Sequence, residues 1–191
     1  MKLSVNKAFK YYQFLLRTYK KKSSLYQRLG FSTNGAIHYR DWEVFGAILV
    51  GDTKKHGTGI DLTKHEIKSA LEECEFSYQY HRNTGLDKLK QDMAADHIFI
   101  TYKEGYESIT VRRLSSEMVA PLIEPWRESI VEAYYHENKR QRCRHHLRYT
   151  DVVQLGTVIM CIEGGQLRTS DHAVAATPTI PCTSFSSLVC L

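Results

Sequence analysis

The residues of this chain that could do chemistry are concentrated between positions 57 and 69, where charged and apolar side chains alternate. If this segment forms a hairpin with its tip at residues 63–64, Asp61 faces Glu66. Opposed residues in an antiparallel pair point to the same face, with Cβ atoms roughly 5 Å apart. Lys68 lies two positions after Glu66, so strand alternation places it on that face too. The pattern predicts two carboxylates and one ammonium group in a small volume.

Two carboxylates at this spacing suit Mg²⁺, which prefers oxygen ligands and takes only one or two carboxylates from a protein. The main-chain carbonyl of Ile67 could add a further oxygen. A bound ion acidifies water and stabilises charge on a phosphate, and a nearby lysine can position that water. These are the requirements of phosphodiester hydrolysis. Without a metal the carboxylates repel each other, so one of them should have a raised pKa.

Two alternatives stay open at this point. The first is an exposed hairpin whose charged side chains are simply solvated. The second concerns the ligand, because Asp52 would supply the carboxylate if Asp61 pointed away. The tip itself favours a looser turn than a two-residue one, since two-residue turns prefer asparagine and glycine to the Thr63-Lys64 pair found here.

The elements that must position these residues are predicted from hydrophobic periodicity. Apolar residues at three- and four-residue steps predict a helix or helical pair over residues 6–28 and single helices over residues 39–50 and 86–95. The same spacing predicts a helical segment over residues 116–135, interrupted by Pro121 and Pro125. Short apolar or alternating runs predict six strands, over residues 59–62, 65–71, 76–80, 97–102, 109–114 and 157–162. This order of elements is typical of a mixed α/β fold.

Length and composition favour one globular domain over residues 1–163. The remaining segment, residues 164–191, contains one Arg, one Asp and no Lys or Glu, which predicts a disordered or aberrant tail. No apolar run approaches the roughly 20 residues of a membrane helix, and the first residues do not resemble a secretion signal. We therefore expect a cytoplasmic protein with no membrane contact. Five scattered cysteines without a C-x-x-C pair argue against disulfides and zinc.

Basic residues point to an anionic partner. The chain has 26 Lys and Arg against 21 Asp and Glu, and the densest basic run is residues 139–148. A solvated helix face explains such a run, but phosphate contact is the better interpretation here. Arg140, Arg142 and Arg144 are accordingly candidates for DNA binding.

A second candidate surface lies at residues 78–83, which interleave aromatic, amide and basic side chains. Alternation along a strand places Gln79 and His81 on one face, and Arg82 follows in the next loop. Such groups can touch phosphates and base edges. A buried tyrosine face with a polar outer face explains the same pattern, so both interpretations stay open.

The arrangement of Asp61 followed by Glu66-Ile67-Lys68, between a helix and a strand–helix–strand unit, resembles the PD-(D/E)xK nuclease superfamily, specifically type II restriction endonucleases. The match covers roughly residues 39–114. Ile60 stands where the motif name has proline, and only four residues separate Asp61 from Glu66. The resemblance implies an αβββαβ core, with a central mixed sheet flanked by helices.

The resemblance also implies Mg²⁺-dependent cleavage of double-stranded DNA. Asp61 and Glu66 would be metal ligands, and Lys68 would be the water-positioning base or the electrostatic partner. Glu43 could be the acidic residue on the preceding helix, or an ordinary helix carboxylate. We expect a type II site-specific deoxyribonuclease, a hydrolase of a restriction-modification system. A palindromic site would favour a homodimer. The alternatives are a non-catalytic DNA-binding protein and a DNA repair nuclease with the same core.

Overall fold

The structure is a computed structural model that describes residues 2–32, 37–54, 56–57, 59–135 and 141–168. The helices in these segments are α1 (Val5–Arg28), α2 (Tyr39–Val50), α3 (Gly85–Ala94), α4 (Ser116–Ile123), α5 (Trp126–Tyr135) and α6 (Tyr149–Leu155), with a 3₁₀ turn at Glu104–Tyr106. The strands are β1 (His65–Leu71), β2 (Phe76–His81), β3 (Asp96–Tyr102), β4 (Ile109–Leu114), β5 (Arg142–Leu147), β6 (Thr157–Glu163) and β7 (Gln166–Arg168).

Five strands form a mixed sheet in the order β1-β3-β4-β6-β7. β1 and β3 are parallel and are connected through β2 and α3, and the other pairs are antiparallel. β1 lies at one edge of this sheet. β2 and β5 pair only with each other, as an antiparallel two-stranded unit that we call the β2–β5 ribbon.

Hydrophobic cores cover both faces of the five-stranded sheet. On one face α1 and α2 pack against alternate sheet residues such as Ile98 and Ile100. On the other face Phe99 packs with α3, α4, α5 and the inner side of the β2–β5 ribbon. Because strand side chains alternate between faces, Glu66 and Lys68 lie on the ribbon side of β1 while Ile67 faces α2.

The ends of α2 are set by local chemistry. The imidazole Nδ1 of His38 accepts a hydrogen bond from the backbone N–H of Arg40 at 3.2 Å, which satisfies a donor of the first turn. Gly51 ends the helix in the left-handed conformation, with φ of 68°, which glycine adopts without a Cβ clash. The chain then turns directly into the loop that precedes β1.

The mixed α/β class and the four helical segments are confirmed. Residues 6–28 form one helix, α1, and residues 116–135 split into α4 and α5 near Pro125. The αβββαβ core is not confirmed: among the described residues two strands, β1 and β2, precede α3, and they join different sheets. The strand expected over residues 59–62 is reduced to an isolated bridge between Lys54 and Leu62.

Several elements differ from the sequence prediction for a physical reason. Gly57 and Gly59 have φ of 97° and 127°, outside the range of a regular strand, and this prevents the first arm of the expected hairpin. The segment predicted to be a tail from residue 164 begins with a Gly164-Gly165 turn and the short strand β7, which pairs with β6. Residues 169–191 lie outside the described residues. None of the described helices is both long and apolar enough to span a membrane.

Candidate active site

Asp61 and Glu66 meet across a tight turn at the free edge of β1. The N–H of Leu62 donates to the carbonyl of His65 at 3.0 Å and closes the turn. The N–H of Asp61 donates to Glu66 Oε2 at 2.9 Å, and the N–H of Ile67 donates to Asp61 Oδ2 at 3.1 Å. The predicted opposition of residues 61 and 66 is therefore present, held by side chain to backbone hydrogen bonds instead of a strand ladder.

Glu66 is the buried centre of the site, with 1% of its surface exposed. Its Oε1 accepts hydrogen bonds from Lys68 Nζ at 2.6 Å and Lys88 Nζ at 3.1 Å. Burial by itself would raise the pKa of Glu66, but the two ammonium groups hold it down to about 2. The same contacts act on Lys68: burial opposes its charge, yet Glu66 and Asp61 raise its pKa above the ordinary value. Both groups are ionised at neutral pH.

The pKa of Asp61 is shifted in the opposite direction from that of Glu66. Burial, followed by the negative charges of Glu66 and Glu43, raises its pKa to about 6, against the lowering effects of Lys68 and the Ile67 N–H. A raised pKa on one of two close carboxylates is what the sequence predicts for this pair. The charges of Glu66 and Glu43 thus disfavour the ionised form of Asp61, and a cation placed beside it would relieve that interaction.

Lys88 and Asp92 of α3 complete the buried charge cluster, although the sequence analysis did not single them out. Lys88 Nζ donates to Asp92 Oδ1 at 2.7 Å, and the hydroxyl of Tyr80 donates to Asp92 Oδ2 at 2.9 Å. Burial and the charge of Glu66 raise the pKa of Asp92 to about 6. A signal was present in the sequence, because Asp92 follows the buried Gly85 and Leu89 at helical spacing, where an apolar residue is expected.

Aromatic side chains of β2 form the floor of the cluster. Lys68 Nζ lies 4.6 Å from the ring centroid of Tyr78, a cation–π contact. The Tyr78 hydroxyl lies 2.7 Å from His97 Nδ1, and His97 Nε2 lies 2.9 Å from the carbonyl oxygen of Asp92. Because a carbonyl only accepts, Nε2 carries the proton and Nδ1 accepts from Tyr78. Burial lowers the pKa of His97 to about 4, so this histidine is neutral.

Asp52 has a separate role in the turn. Its Oδ1 accepts from the N–H of Thr53 at 2.8 Å, and its Oδ2 accepts from the N–H of Lys64 at 2.9 Å and from His65 Nδ1 at 2.7 Å. These hydrogen bonds lower the pKa of Asp52 although burial opposes them. Asp52 thereby stabilises a tip that lacks the usual turn residues. The structure therefore favours Asp61 over Asp52 as the partner of Glu66.

A cleft of about 480 Å³ opens beside Asp61, between α2 and residues 51–54. Glu43 lines this cleft, and its Oε2 contacts Arg40 at 3.2 Å and Lys54 at 3.8 Å. The structure thus brings Glu43 close enough to affect the charge of Asp61 but pairs it with basic side chains of the cleft wall. Acidic and basic groups line one opening that a phosphate-bearing ligand could enter.

The donor atoms at the β1 edge suit Mg²⁺. No group of three His, Cys, Asp or Glu side chains in the described segments has the spacing of a metal centre. Mg²⁺ requires fewer, since it binds through one or two carboxylates and keeps its waters. Among the described residues, Asp61 Oδ1 accepts no hydrogen bond, and Glu66 Oε2 accepts only one. The carbonyl of Ile67 points to the same side of β1 as its N–H, which is the side of Asp61.

Four of the residues predicted to contact DNA lie on the β2–β5 ribbon. Its register pairs Gln79 with Arg144 and His81 with Arg142, so these side chains share the outer face. Arg82 lies at the end of β2, where its N–H donates to the carbonyl of Gln141 at 3.3 Å. Arg140 lies outside the described residues. Two clusters whose paired residues lie 61 and 65 positions apart in sequence thus form one surface.

No protein-family model matches the chain, and no curated protein matches it.

Proposed function

We propose that this protein is a Mg²⁺-dependent endonuclease that hydrolyses phosphodiester bonds of double-stranded DNA at specific sites, as a type II restriction endonuclease of a restriction-modification system. The observation that carries the proposal is the cluster of Asp61, Glu66 and Lys68 at the edge of β1, beside an open cleft. The parallel β1–α3–β3 unit behind this cluster is compatible with the PD-(D/E)xK core that the motif resembles.

The roles follow from the contacts. Asp61 and Glu66 would hold the ion together with the carbonyl of Ile67. Bound Mg²⁺ supplies acidified water and neutralises charge on the phosphate. Lys68 orients the attacking water and balances charge. It does not act as a base, because the pKa of an ammonium held by Glu66 is raised. Lys88 keeps Glu66 ionised and in place.

A protein that only binds DNA is the competing function. It gains nothing from carboxylates that repel phosphate, and a buried Glu66 with two lysines is costly to maintain for binding alone. A repair nuclease with the same chemistry would differ in its substrate, because it would act on damaged or mismatched duplexes and leave ordinary plasmid DNA intact.

The test is incubation of purified protein with unmethylated plasmid and phage DNA, in Mg²⁺ and in EDTA. We expect discrete Mg²⁺-dependent fragments with blunt or defined ends, and their loss in Asp61→Asn and Lys68→Met. Asp87→Asn is the matched control, because Asp87 is an exposed carboxylate of α3. Intact DNA under all conditions would refute the restriction function, and cleavage that survives Asp61→Asn would refute the site. Gel filtration with and without DNA tests the proposed homodimer.

A further inference from the structure

The outer face of the β2–β5 ribbon carries an unusual set of side chains. Strand register places three residues of each strand on this face, in the pairs Ser77–His146, Gln79–Arg144 and His81–Arg142. His81, Arg142, Arg144 and His146 are exposed, and Gln79 is half-buried. Gln79 Nε2 lies 3.0 Å from His81 Nε2. The face therefore presents two arginines, an amide and two imidazoles in a compact array.

The arginines of this face differ from Arg113 and Arg148, which are paired with carboxylates. Arg113 is paired with Asp96, and Arg148 with Asp151 at 2.9 Å. Within the described segments no carboxylate pairs with Arg142 or Arg144, and the acidic contact of the ribbon is at its far end, where Glu75 lies 3.8 Å from His146. Guanidinium groups without an internal partner, side by side on one face, are suited to bind an anion outside the protein.

The inner face of the ribbon makes it rigid. Phe76, Tyr78 and Tyr80 are fully buried there. On β5, the ring of His145 stacks on Trp126 with centroids 5.0 Å apart, which attaches the strand to α5. A ribbon held in this way can present its outer side chains with little loss of conformational entropy on binding.

The ribbon is also joined to the candidate site. Tyr78 and Tyr80 lie under the ammonium groups of Lys68 and Lys88, at 4.6 Å and 5.8 Å from the ring centroids. Residues that alternate along β2 therefore contact the site on one side and solvent on the other. A ligand bound by the outer face is placed in a fixed relation to the charge cluster around Glu66.

We propose that the outer face of the β2–β5 ribbon enters the major groove of duplex DNA and reads base edges there. This inference rests on the proposed function for its ligand, double-stranded DNA. The major groove is about 12 Å wide and admits a two-stranded β-ribbon. Arg142 and Arg144 match the N7 and O6 acceptors of guanine, and Gln79 matches the N7 and N6 groups of adenine. The ribbon is thus the specificity determinant, separate from the cluster that cleaves.

The experiment is selection from a pool of 30-base-pair duplexes with a randomised centre, in EDTA so that no DNA is cut. We expect the wild type to enrich a guanine-containing sequence. The variant Arg142→Ala/Arg144→Ala should bind that sequence at least about tenfold more weakly and enrich no motif. The charge-matched control is Arg17→Ala/Arg28→Ala, since both residues are exposed on α1, on the other side of the sheet. It should keep the wild-type motif.

Two further measurements separate base reading from phosphate contact. Arg144→Lys keeps the charge but loses the paired donors, so it should relax the preference at one position. Replacement of guanine by 7-deazaguanine in the enriched duplex removes the N7 acceptor and should weaken wild-type binding. Circular dichroism checks that each variant is folded. Equal enrichment by wild type and Arg142→Ala/Arg144→Ala, or no enrichment by the wild type, would overturn the inference.

The outcomes also distinguish this inference from the proposed function. If Mg²⁺ produces fragments and the ribbon variant cuts the same sites at the same rate, the ribbon inference fails and the nuclease stands. If no DNA is cut in Mg²⁺ while selection still depends on Arg142 and Arg144, the nuclease fails and the ribbon inference stands.

Discussion

Replacing Asp61 by asparagine should make the protein more stable while abolishing its proposed activity. The amide keeps the shape of the carboxylate and an oxygen that accepts from the N–H of Ile67. It removes a negative charge that lies beside Glu66 and near Glu43. Repulsion between active-site carboxylates lowers the free energy of unfolding in this way. A substitution that removes one of the charges raises it again, although the activity is lost.

The magnitude follows from the pKa of Asp61. Burial and the neighbouring carboxylates raise it to about 6 from an ordinary value of 3.8. That difference corresponds to ~3 kcal/mol of free energy against the ionised form at neutral pH. Because Asp61 lies at the mouth of a cleft, solvent screening reduces the effect. We expect the free energy of unfolding of Asp61→Asn to exceed that of the wild type by about 1–2 kcal/mol at pH 8 in EDTA.

The pH dependence has a definite sign. Between pH 6 and pH 4, Asp61 is protonated in the folded protein but ionised in the unfolded chain, so the contribution of Asp61 to wild-type stability falls as the pH rises through this window. The variant lacks this titration. The gap between the two proteins should therefore be largest above pH 6, should be about half as large at pH 5, and should approach zero only below about pH 4.

Urea unfolding followed by circular dichroism at pH 5 and pH 8 measures this gap. Asp87→Asn is the control, because it removes an exposed carboxylate and should change the free energy of unfolding by less than about 0.5 kcal/mol. Addition of Mg²⁺ should stabilise the wild type more than Asp61→Asn. A variant that is less stable than the wild type at pH 8, or a gap that is the same at both pH values, would refute the electrostatic reasoning.

Three further substitutions test the packing around the site. Lys88→Met leaves two buried carboxylates with one cation fewer and should cost about 3 kcal/mol in urea unfolding, whereas the exposed Lys90→Met should cost almost nothing. Tyr78→Phe removes the hydrogen bond to the buried neutral histidine and should cost about 1–2 kcal/mol by the same assay, which an unchanged midpoint would contradict. Gly46→Ala places a Cβ 2.7 Å from Ile67 Cδ1, so it should lower both the melting temperature and the rate of plasmid cleavage. A variant in which only the melting temperature or only the cleavage rate falls would contradict this account.

Helices α1 to α5 and the Asp61–Glu66 contact were predictable because they are local in sequence, whereas the short helix α6 was not predicted. A period of 3.6 residues requires no knowledge of the partner element, and α2 ends at Gly51 as that glycine indicates. Asp61 and Glu66 are five positions apart, so any tight turn between them brings them together. The contact of Lys88 with Glu66 spans 22 residues and depends on how α3 packs against β1, which the pattern of either segment alone does not specify.

The sequence did not predict β5 as a strand of the β2–β5 ribbon, because of its many charged residues. Arg142, Arg144 and His146 alternate with the less exposed Cys143 and His145, which is the period of a strand. The density of basic residues in this run instead indicates a solvated helix face or a phosphate contact. Its pairing with β2 is a contact over 60 residues. The sequence identifies residues of both strands as candidates for DNA binding, but only the fold shows that they share one face.

The free edge of β1 has a consequence for self-association. An edge strand with open N–H groups is a template on which a strand of another molecule can add. Here the N–H of Ile67 is occupied by the carboxylate of Asp61, a charged group that another backbone would have to displace. The side chain of Asp61 therefore hinders the addition of a strand from another molecule to β1, in addition to its proposed part in catalysis. Alanine at this position would leave the edge open and favour aggregates in concentrated solution, whereas asparagine would keep it closed.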